Sequence, residues 1–334
     1  MNNSRYPRLA LLLSLSFIFS AGTSAEVSYD EIIIFGDSLS DTGNKYSETG
    51  TANTPPYAEL LDFFLVADGP YTRGGLHHSN GAVWAEQFAR PLGLGGLVRP
   101  ALRSEGKAMN YAYGGARARP GPPIIPNSNM HLPDQVGAFL ADVNHNASAD
   151  PLYVIFIGGN DVFDAIMALS ADPSGGLSTV VLGNAITSVS TGIVNLYLAG
   201  ARNFMVMNVP DLGVTPAMKV ADAAFPGAIA AASFFTAQYN FGLGMALDVL
   251  EDSSQAPVLP GINIVRMDIN KAIGDIIADP EHFGFSNVTD TCVMPNTPPY
   301  ACRQPDKYLF WDGVHPTKAT HAILAEEVGR ALAD

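Results

Sequence analysis

Short apolar runs alternate along this chain with longer segments whose apolar residues recur every three or four positions. The runs are Ile32-Ile33-Ile34-Phe35, Leu152-Tyr153-Val154-Ile155-Phe156-Ile157 and Phe204-Met205-Val206-Met207. Unbroken apolarity over so few residues marks strands buried on both faces. We expect strands over 29–35, 152–157, 203–209 and 261–267, with a shorter one over 109–116 that runs into a glycine pair. The longer segments predict helices. Leu182, Ile186, Val189, Ile193 and Leu196 line one face over 177–198. Phe235, Leu243, Leu247 and Leu250 do so over 230–250, and Ile323, Leu324, Val328 and Leu332 over 317–333. Shorter helices are expected over 57–65, 82–89 (capped by Ser79 or Asn80), 132–140 and 271–278.

The polar and proline-rich stretches 45–56, 69–81, 119–133 and 280–307 read as loops. Strands alternating with helices imply parallel pairing with right-handed crossovers. Without a repeat, a low-complexity tract or a linker, the simplest architecture is a three-layer α/β/α sandwich with a parallel sheet. It would form a single domain over 26–334.

Composition adds constraints rather than elements. At 334 residues, 47% hydrophobic and 15% charged, the chain is long enough to bury a sizeable core. The formal net charge of −14 argues against a nucleic-acid partner, which needs basic patches. Arg5 and Arg8 precede an apolar run over 9–19 and small residues at Ala21-Gly22-Thr23-Ser24-Ala25. That order is a secretory signal peptide, cut after Ala25, and predicts an exported protein, secreted or periplasmic. Removing two arginines and no acids takes the charge from −14 to −16. The run is too short to span a bilayer, and no later stretch reads as long and apolar enough. A stable membrane span is therefore not expected. Oligomeric state is left open.

Cys292 and Cys302 are the two cysteines, with nine residues between them. In an oxidising compartment they favour a disulfide, worth about 3 kcal/mol in the chain-entropy picture. They do not make a metal site by themselves. His77 and His78 are adjacent and cannot converge on one metal, so they read as an exposed polar loop bordering an entrance. No metal or cofactor is expected.

Candidate chemistry sits where the strands end. Ser38 follows the first strand, Gly115 the short one and Asn160 the second. Near the C-terminus, Asp312 precedes His315 by three residues just ahead of a helix. A serine hydroxyl is a poor nucleophile until a base takes its proton. His315 suits that task, and Asp312 can hold the imidazole tautomer. A tetrahedral oxyanion then needs donors aimed at it in advance. The Gly115 N–H, the Asn160 amide and the Ser38 N–H qualify. Asp37, Asp41 and Asn44 read as braces of the serine loop, Asp161 as a helix cap, and Asp211 as a brace after a strand.

These segments resemble the SGNH or GDSL family of esterases and lipases. The nucleophile block is Phe35-Gly36-Asp37-Ser38-Leu39-Ser40-Asp41-Thr42-Gly43-Asn44, and the second is Asn110-Tyr111-Ala112-Tyr113-Gly114-Gly115-Ala116. Gly158-Gly159-Asn160-Asp161 and Asp312-Gly313-Val314-His315-Pro316-Thr317 complete the set, in the family's order. The resemblance implies a flavodoxin-like α/β/α fold, Ser38, Asp312 and His315 as the catalytic triad, and Gly115 and Asn160 as oxyanion donors. Ser79-Asn80-Gly81 with Trp84, residues 208–213 and Tyr239-Asn240 are similar to the branch of plant GDSL lipases and bacterial phospholipase or haemolysin-like enzymes. His77-His78 stand where that branch usually has Arg-Phe. The implied activity is hydrolysis of an ester or lipid substrate. Acyl transfer to an alcohol through the same residues is the alternative, and a non-catalytic surface domain a remote one.

Overall fold

Side chains of the first strand alternate between two cores. Ile33 and Phe35 enter one, Ile32 and Ile34 the other. Tyr153 and Ile155 follow the first pair, as do Phe204 and Val206, while Leu152, Val154, Phe156, Met205 and Met207 follow the second. A period of two with both faces apolar is what a central parallel sheet requires. The computed structural model describes residues 29–333 other than 59, 61–63, 105–107, 122–129 and 255–258. The expected signal peptide lies outside the described residues.

In chain order the elements are β1 (Ile32–Gly36), α1 (Asn44–Thr49), α2 (Trp84–Ala89), α3 (Leu132–Asp142), β2 (Leu152–Phe156), α4 (Gly159–Ala168), α5 (Gly176–Ala199) and β3 (Asn203–Met207). Then come α6 (Pro216–Ala224), α7 (Ala228–Glu251), β4 (Asn263–Met267), α8 (Ile269–Ala278), β5 (Asn287–Thr291), β6 (Tyr308–Phe310) and α9 (Lys318–Ala333). β1 to β4 pair in parallel in that order, with Ile34, Val154, Met205 and Val265 in register. Residues 109–113 lie along the free edge of β1. The N–H groups of Tyr111 and Tyr113 donate to the carbonyls of Ile34 and Gly36, and that of Ile34 to Met109. The second segment in sequence thus lies outside the first, the doubly wound order of flavodoxin-like sheets. Helices α3, α4, α5 and α7 cover one face, and α2, α8 and α9 the other. The architecture is a three-layer α/β/α sandwich.

The 109–113 edge is held by rings as well as by its hydrogen bonds. Phe35 stacks on Tyr111 at 5.8 Å, and Phe139 of α3 meets both edge-on. Such pairs add about 0.5–1.5 kcal/mol each beyond area burial.

Several expectations need correction. Residues 45–56 begin with α1 rather than as a loop, because the Asp41 carboxylate accepts the N–H groups of Gly43, Asn44 and Lys45 that a helix start leaves open. The helix expected over 57–65 is absent at the described positions: Tyr57 and Leu65 have φ of 58° and 54°, in the left-handed region. Residues 59 and 61–63 lie outside the described residues. Neither Ser79 nor Asn80 caps α2, which starts after Val83. Asn80 Oδ1 instead accepts the Lys318 N–H at the start of α9, at 2.7 Å. Helix α4 was foreshadowed only by reading Asp161 as a helix cap, and neither α6 nor β5 within 280–307, which pairs in parallel with β6, was anticipated. Cys292 and Cys302 form a disulfide. Finally, α5 is long and apolar enough to cross a membrane. Its face of Leu182, Val189, Ile193 and Leu196 is nevertheless buried against the protein's own core.

Candidate active site

Four loops at the carboxyl ends of the strands meet at Ser38. Its Oγ lies 2.8 Å from His315 Nε2, and His315 Nδ1 lies 2.8 Å from Asp312 Oδ2. Asp312 is fully buried. Its Oδ1 accepts the N–H groups of Val314 and His315, at 3.0 and 2.8 Å. Tyr71 donates its hydroxyl to Oδ2 at 2.8 Å. A buried carboxylate is tolerable only with such charge-assisted bonds. The turn between Asp312 and His315 is fixed in place by Trp311 N–H on the His315 carbonyl and Gly313 N–H on the Leu65 carbonyl. A hydroxyl, an imidazole and a carboxylate in this series can move the hydroxyl proton to Nε2 and stabilise the imidazolium that results.

The loop after β1 is held from all sides. The Gln135 side chain donates to the Gly36 carbonyl and accepts its N–H. Asp37 Oδ1 accepts the Leu39 N–H. Asp41 also accepts the Gly114 N–H, and the Asn44 amide donates to the carbonyls of Asn110 and Ala112. Burial pushes the Asp37 carboxyl up to about 7, although the Leu39 N–H and the charge of His315 pull it down. Asp211 Oδ1 accepts the Gly213 N–H and Oδ2 the Ser233 hydroxyl, fixing the short 3-10 turn Leu212–Val214.

The glycine pair divides its work. Gly115 has φ of 86°, which a side chain would strain. At Gly114 the need is space: a Cβ there would lie 2.3 Å from His78 Nε2. The Gly114 N–H is taken by Asp41, whereas those of Gly115 and Ser38 have no hydrogen-bond partner among the described residues. Asn160 Nδ2 spends one hydrogen on the Ala116 carbonyl at 2.8 Å and keeps the other. The 115–119 loop is clamped to α4. Arg117 bonds Asp164 through two nitrogens, and Arg119 pairs with Asp164 and Asp161. Asp161 is not the helix cap its position suggested: its carboxylate accepts the Ala118 N–H at 2.7 Å, and Gly158 precedes the helix. Burial pushes Asp161 up to about 6, against the Ala118 N–H and Arg119.

Ser38, Gly115, Asn160 and His315 line a cavity of about 1140 Å³. Pockets for one small ligand run to roughly 300–1,000 Å³. Phe64, Phe163, Leu212, Val214 and Val314 supply apolar lining, and Phe64 meets Phe163 edge-on at 5.0 Å. His77 and His78 are buried, not exposed as their polarity suggested. His77 Nε2 contacts Glu86 at 2.7 Å, and the His78 ring sits 5.1 Å from that of His315. Among the described residues no group of three or more His, Cys, Asp or Glu could hold a metal. Sequence reasoning missed Tyr71, Lys45 and His78 as members of the site. Only the departure at His77-His78 flagged any of them.

The chain matches the model of the GDSL-like lipase/acylhydrolase family over residues 32–328. It is 26% identical to a GDSL esterase/lipase of Arabidopsis thaliana, over 98% of this chain and 97% of that protein. It is 25% identical to a phosphatidylcholine-sterol acyltransferase of Aeromonas hydrophila, over 94% and 93%. Among solved structures, a catalytic mutant of an acetylxylan esterase from Geobacillus stearothermophilus aligns over 92% of this chain and 96% of that one, at a TM-score of 0.45 and 14% identity. The family match spans nearly all the described residues and includes each strand end that meets at Ser38: the chain belongs to the GDSL-like lipase/acylhydrolase family and is a carboxylic ester hydrolase.

Proposed function

We propose that Ser38 is the nucleophile of this hydrolase and that the reaction passes through an acyl-Ser38 ester. The 2.8 Å contact from Ser38 Oγ to His315 Nε2, with Asp312 behind the imidazole, is the observation that carries this reading. Ser38 Oγ attacks the acyl carbon while its proton passes to Nε2. Asp312 holds the Nδ1–H and stabilises the imidazolium. The negative oxygen settles among the N–H groups of Ser38 and Gly115 and the free amide hydrogen of Asn160. His315 then returns the proton to the leaving alcohol. Water, deprotonated by His315, attacks the acyl carbon, and Ser38 regains its proton as the acid departs.

The apolar lining over Phe64, Phe163, Leu212 and Val214 supports a lipid-type acyl chain. Residues 1–25 fit a signal peptide that would direct the remaining domain to export. Acyl transfer to an alcohol is the second reading. It is supported by the acyltransferase relative from Aeromonas hydrophila and by a cavity with room for an acceptor beside the acyl chain.

Ser38→Ala tests the assignment. The variant should fold as wild type and lose turnover of a small chromogenic butyrate ester by a factor of a thousand or more. Retained turnover overturns the role of Ser38. Adding a lipid alcohol to the wild type separates the two readings: acyl transfer yields a new ester, and hydrolysis only the free acid.

A further inference from the structure

Lys45 and His78 share one wall of the cavity, and neither is committed to a partner. Both press on the same glycine. A Cβ at Gly114 would lie 3.0 Å from Lys45 Cδ and 2.3 Å from His78 Nε2. The Lys45 ammonium makes no hydrogen bond or ion pair with the described residues. Burial lowers its basicity, while the more distant carboxylates of Asp41 and Asp68 favour its charge. His78 is 3% exposed, and both ring nitrogens are buried without a hydrogen-bond partner. Burial, followed by the nearby His315, Lys45 and His77, keeps that ring neutral. Asp68 also lines the cavity and favours the Lys45 charge without an ion pair to it, while His77 contacts Glu86 and the Gly74 carbonyl. Arg117, the other Lys or Arg lining the cavity among the described residues, is bound to Asp164.

Part of the apolar lining comes from elsewhere in the fold. Phe163 follows β2, and Leu212 and Val214 follow β3. Lys45 and His78 come from the segment between β1 and β2, which also supplies Phe64 to the apolar lining. An ester has two halves. If the acyl chain takes the apolar lining, the alcohol half falls to the wall beside His315, the group that protonates the leaving oxygen.

We propose that Lys45 and His78 bind an anionic group, phosphate or carboxylate, carried on the alcohol half of the ester. The proposal rests on the hydrolase reading above. An ammonium is a point charge with three donors and accepts either anion without a fixed orientation. A neutral imidazole still supplies one N–H. Buried donors left without partners cost free energy that an anion on this wall would offset.

Three butyrate esters test this: of glycerol, of glycerol 3-phosphate and of glyceric acid. In the wild type, kcat/KM for at least one anionic ester should exceed that for the neutral one at least tenfold. The better of the two identifies the anion. Lys45→Met should bring the ratio close to one, and Lys45→Arg should restore most of it, with circular dichroism confirming that both fold. A wild-type ratio near one, or a ratio unchanged in folded Lys45→Met, overturns the proposal. Should Lys45→Met not fold, inhibition of wild-type hydrolysis of the neutral ester decides. Competition by glycerol 3-phosphate or glycerate but not by glycerol supports the anion site, and equal competition by glycerol refutes it. Ser38→Ala, run beside these, keeps the two readings apart. Its residual turnover would refute the nucleophile, whereas the ester ratio speaks only to Lys45 and His78.

Discussion

Tyr71 Oη and His315 Nδ1 meet the same oxygen, Asp312 Oδ2, each at 2.8 Å. The phenol is held protonated well above its ordinary range, first by burial and then by the charge of Asp312, so it stays a donor. Its ring packs edge-on against Tyr57 and Trp311. Tyr71→Phe keeps that packing and deletes one bond to a buried charge. We expect a loss of about 1.5–3 kcal/mol in stability, the worth of a hydrogen bond to a charged group. On the proposed chemistry kcat falls severalfold with KM little changed. Urea denaturation and steady-state kinetics check both. An unaltered stability means Asp312 finds a replacement donor.

Asn160 offers a cleaner test of transition-state binding. One amide hydrogen is anchored on Ala116, so the other is fixed in direction before substrate arrives. On the proposed chemistry Asn160 is an oxyanion donor, and removing one costs about 2.7–4 kcal/mol in kcat. Asn160→Ala should lower kcat by a hundredfold or more. An effect confined to KM would place Asn160 in substrate binding alone.

The Asn80 side chain joins segments 238 positions apart. Its Oδ1 satisfies the first N–H of α9, and Ser79 Oγ beside it donates to the Pro316 carbonyl at 2.8 Å. Asn80→Ala should cost about 1 kcal/mol, as loss of a helix-start acceptor does. The measurement is the urea midpoint at constant m-value, and no shift would mean that Lys318 finds another acceptor.

Asp37 gives the protein a pH dependence of definite sign. Folded Asp37 keeps its proton up to about 7, whereas the free side chain releases it near 3.8. Between those values the folded state binds the extra proton, so this group's contribution to stability falls as pH rises. Asp37→Asn retains an acceptor for the Leu39 N–H and removes the titration. Relative to wild type the variant should gain stability from pH 4 to 7, by up to about 1.4 kcal/mol per pH unit. Denaturation curves at pH 5 and 7.5 decide; a constant difference means Asp37 is ionised throughout.

What could be read from the sequence followed from continuity of pattern. The unbroken run Ile32-Ile33-Ile34-Phe35 is intelligible without coordinates, because only a doubly covered strand makes it favourable. The motifs at its end and at the ends of the later strands gave the family. Helix α4 was signalled only by the reading of Asp161 as a helix cap, because Gly158 and Gly159 stand where it begins and glycine is a poor helix former. Helix α6 carries a start signal in Thr215-Pro216, and Thr215 Oγ1 accepts the Met218 N–H, yet apolar spacing alone does not reveal it. Tyr71 lies in a loop without periodicity, and its partner Asp312 is 241 positions away. His77 and His78 look like surface residues. They are buried because Glu86 meets His77 and Gly114 leaves room for His78, and neither fact can be read locally.

The distance along the chain between Ser38 and His315, 277 positions, has a consequence for biosynthesis. The serine and its loop leave the ribosome 277 residues before the imidazole does. Every intermediate length carries the proposed nucleophile without its proposed base. On the proposed chemistry a growing chain cannot cleave esters, whatever membranes it passes, until the turn holding His315 has docked against β1.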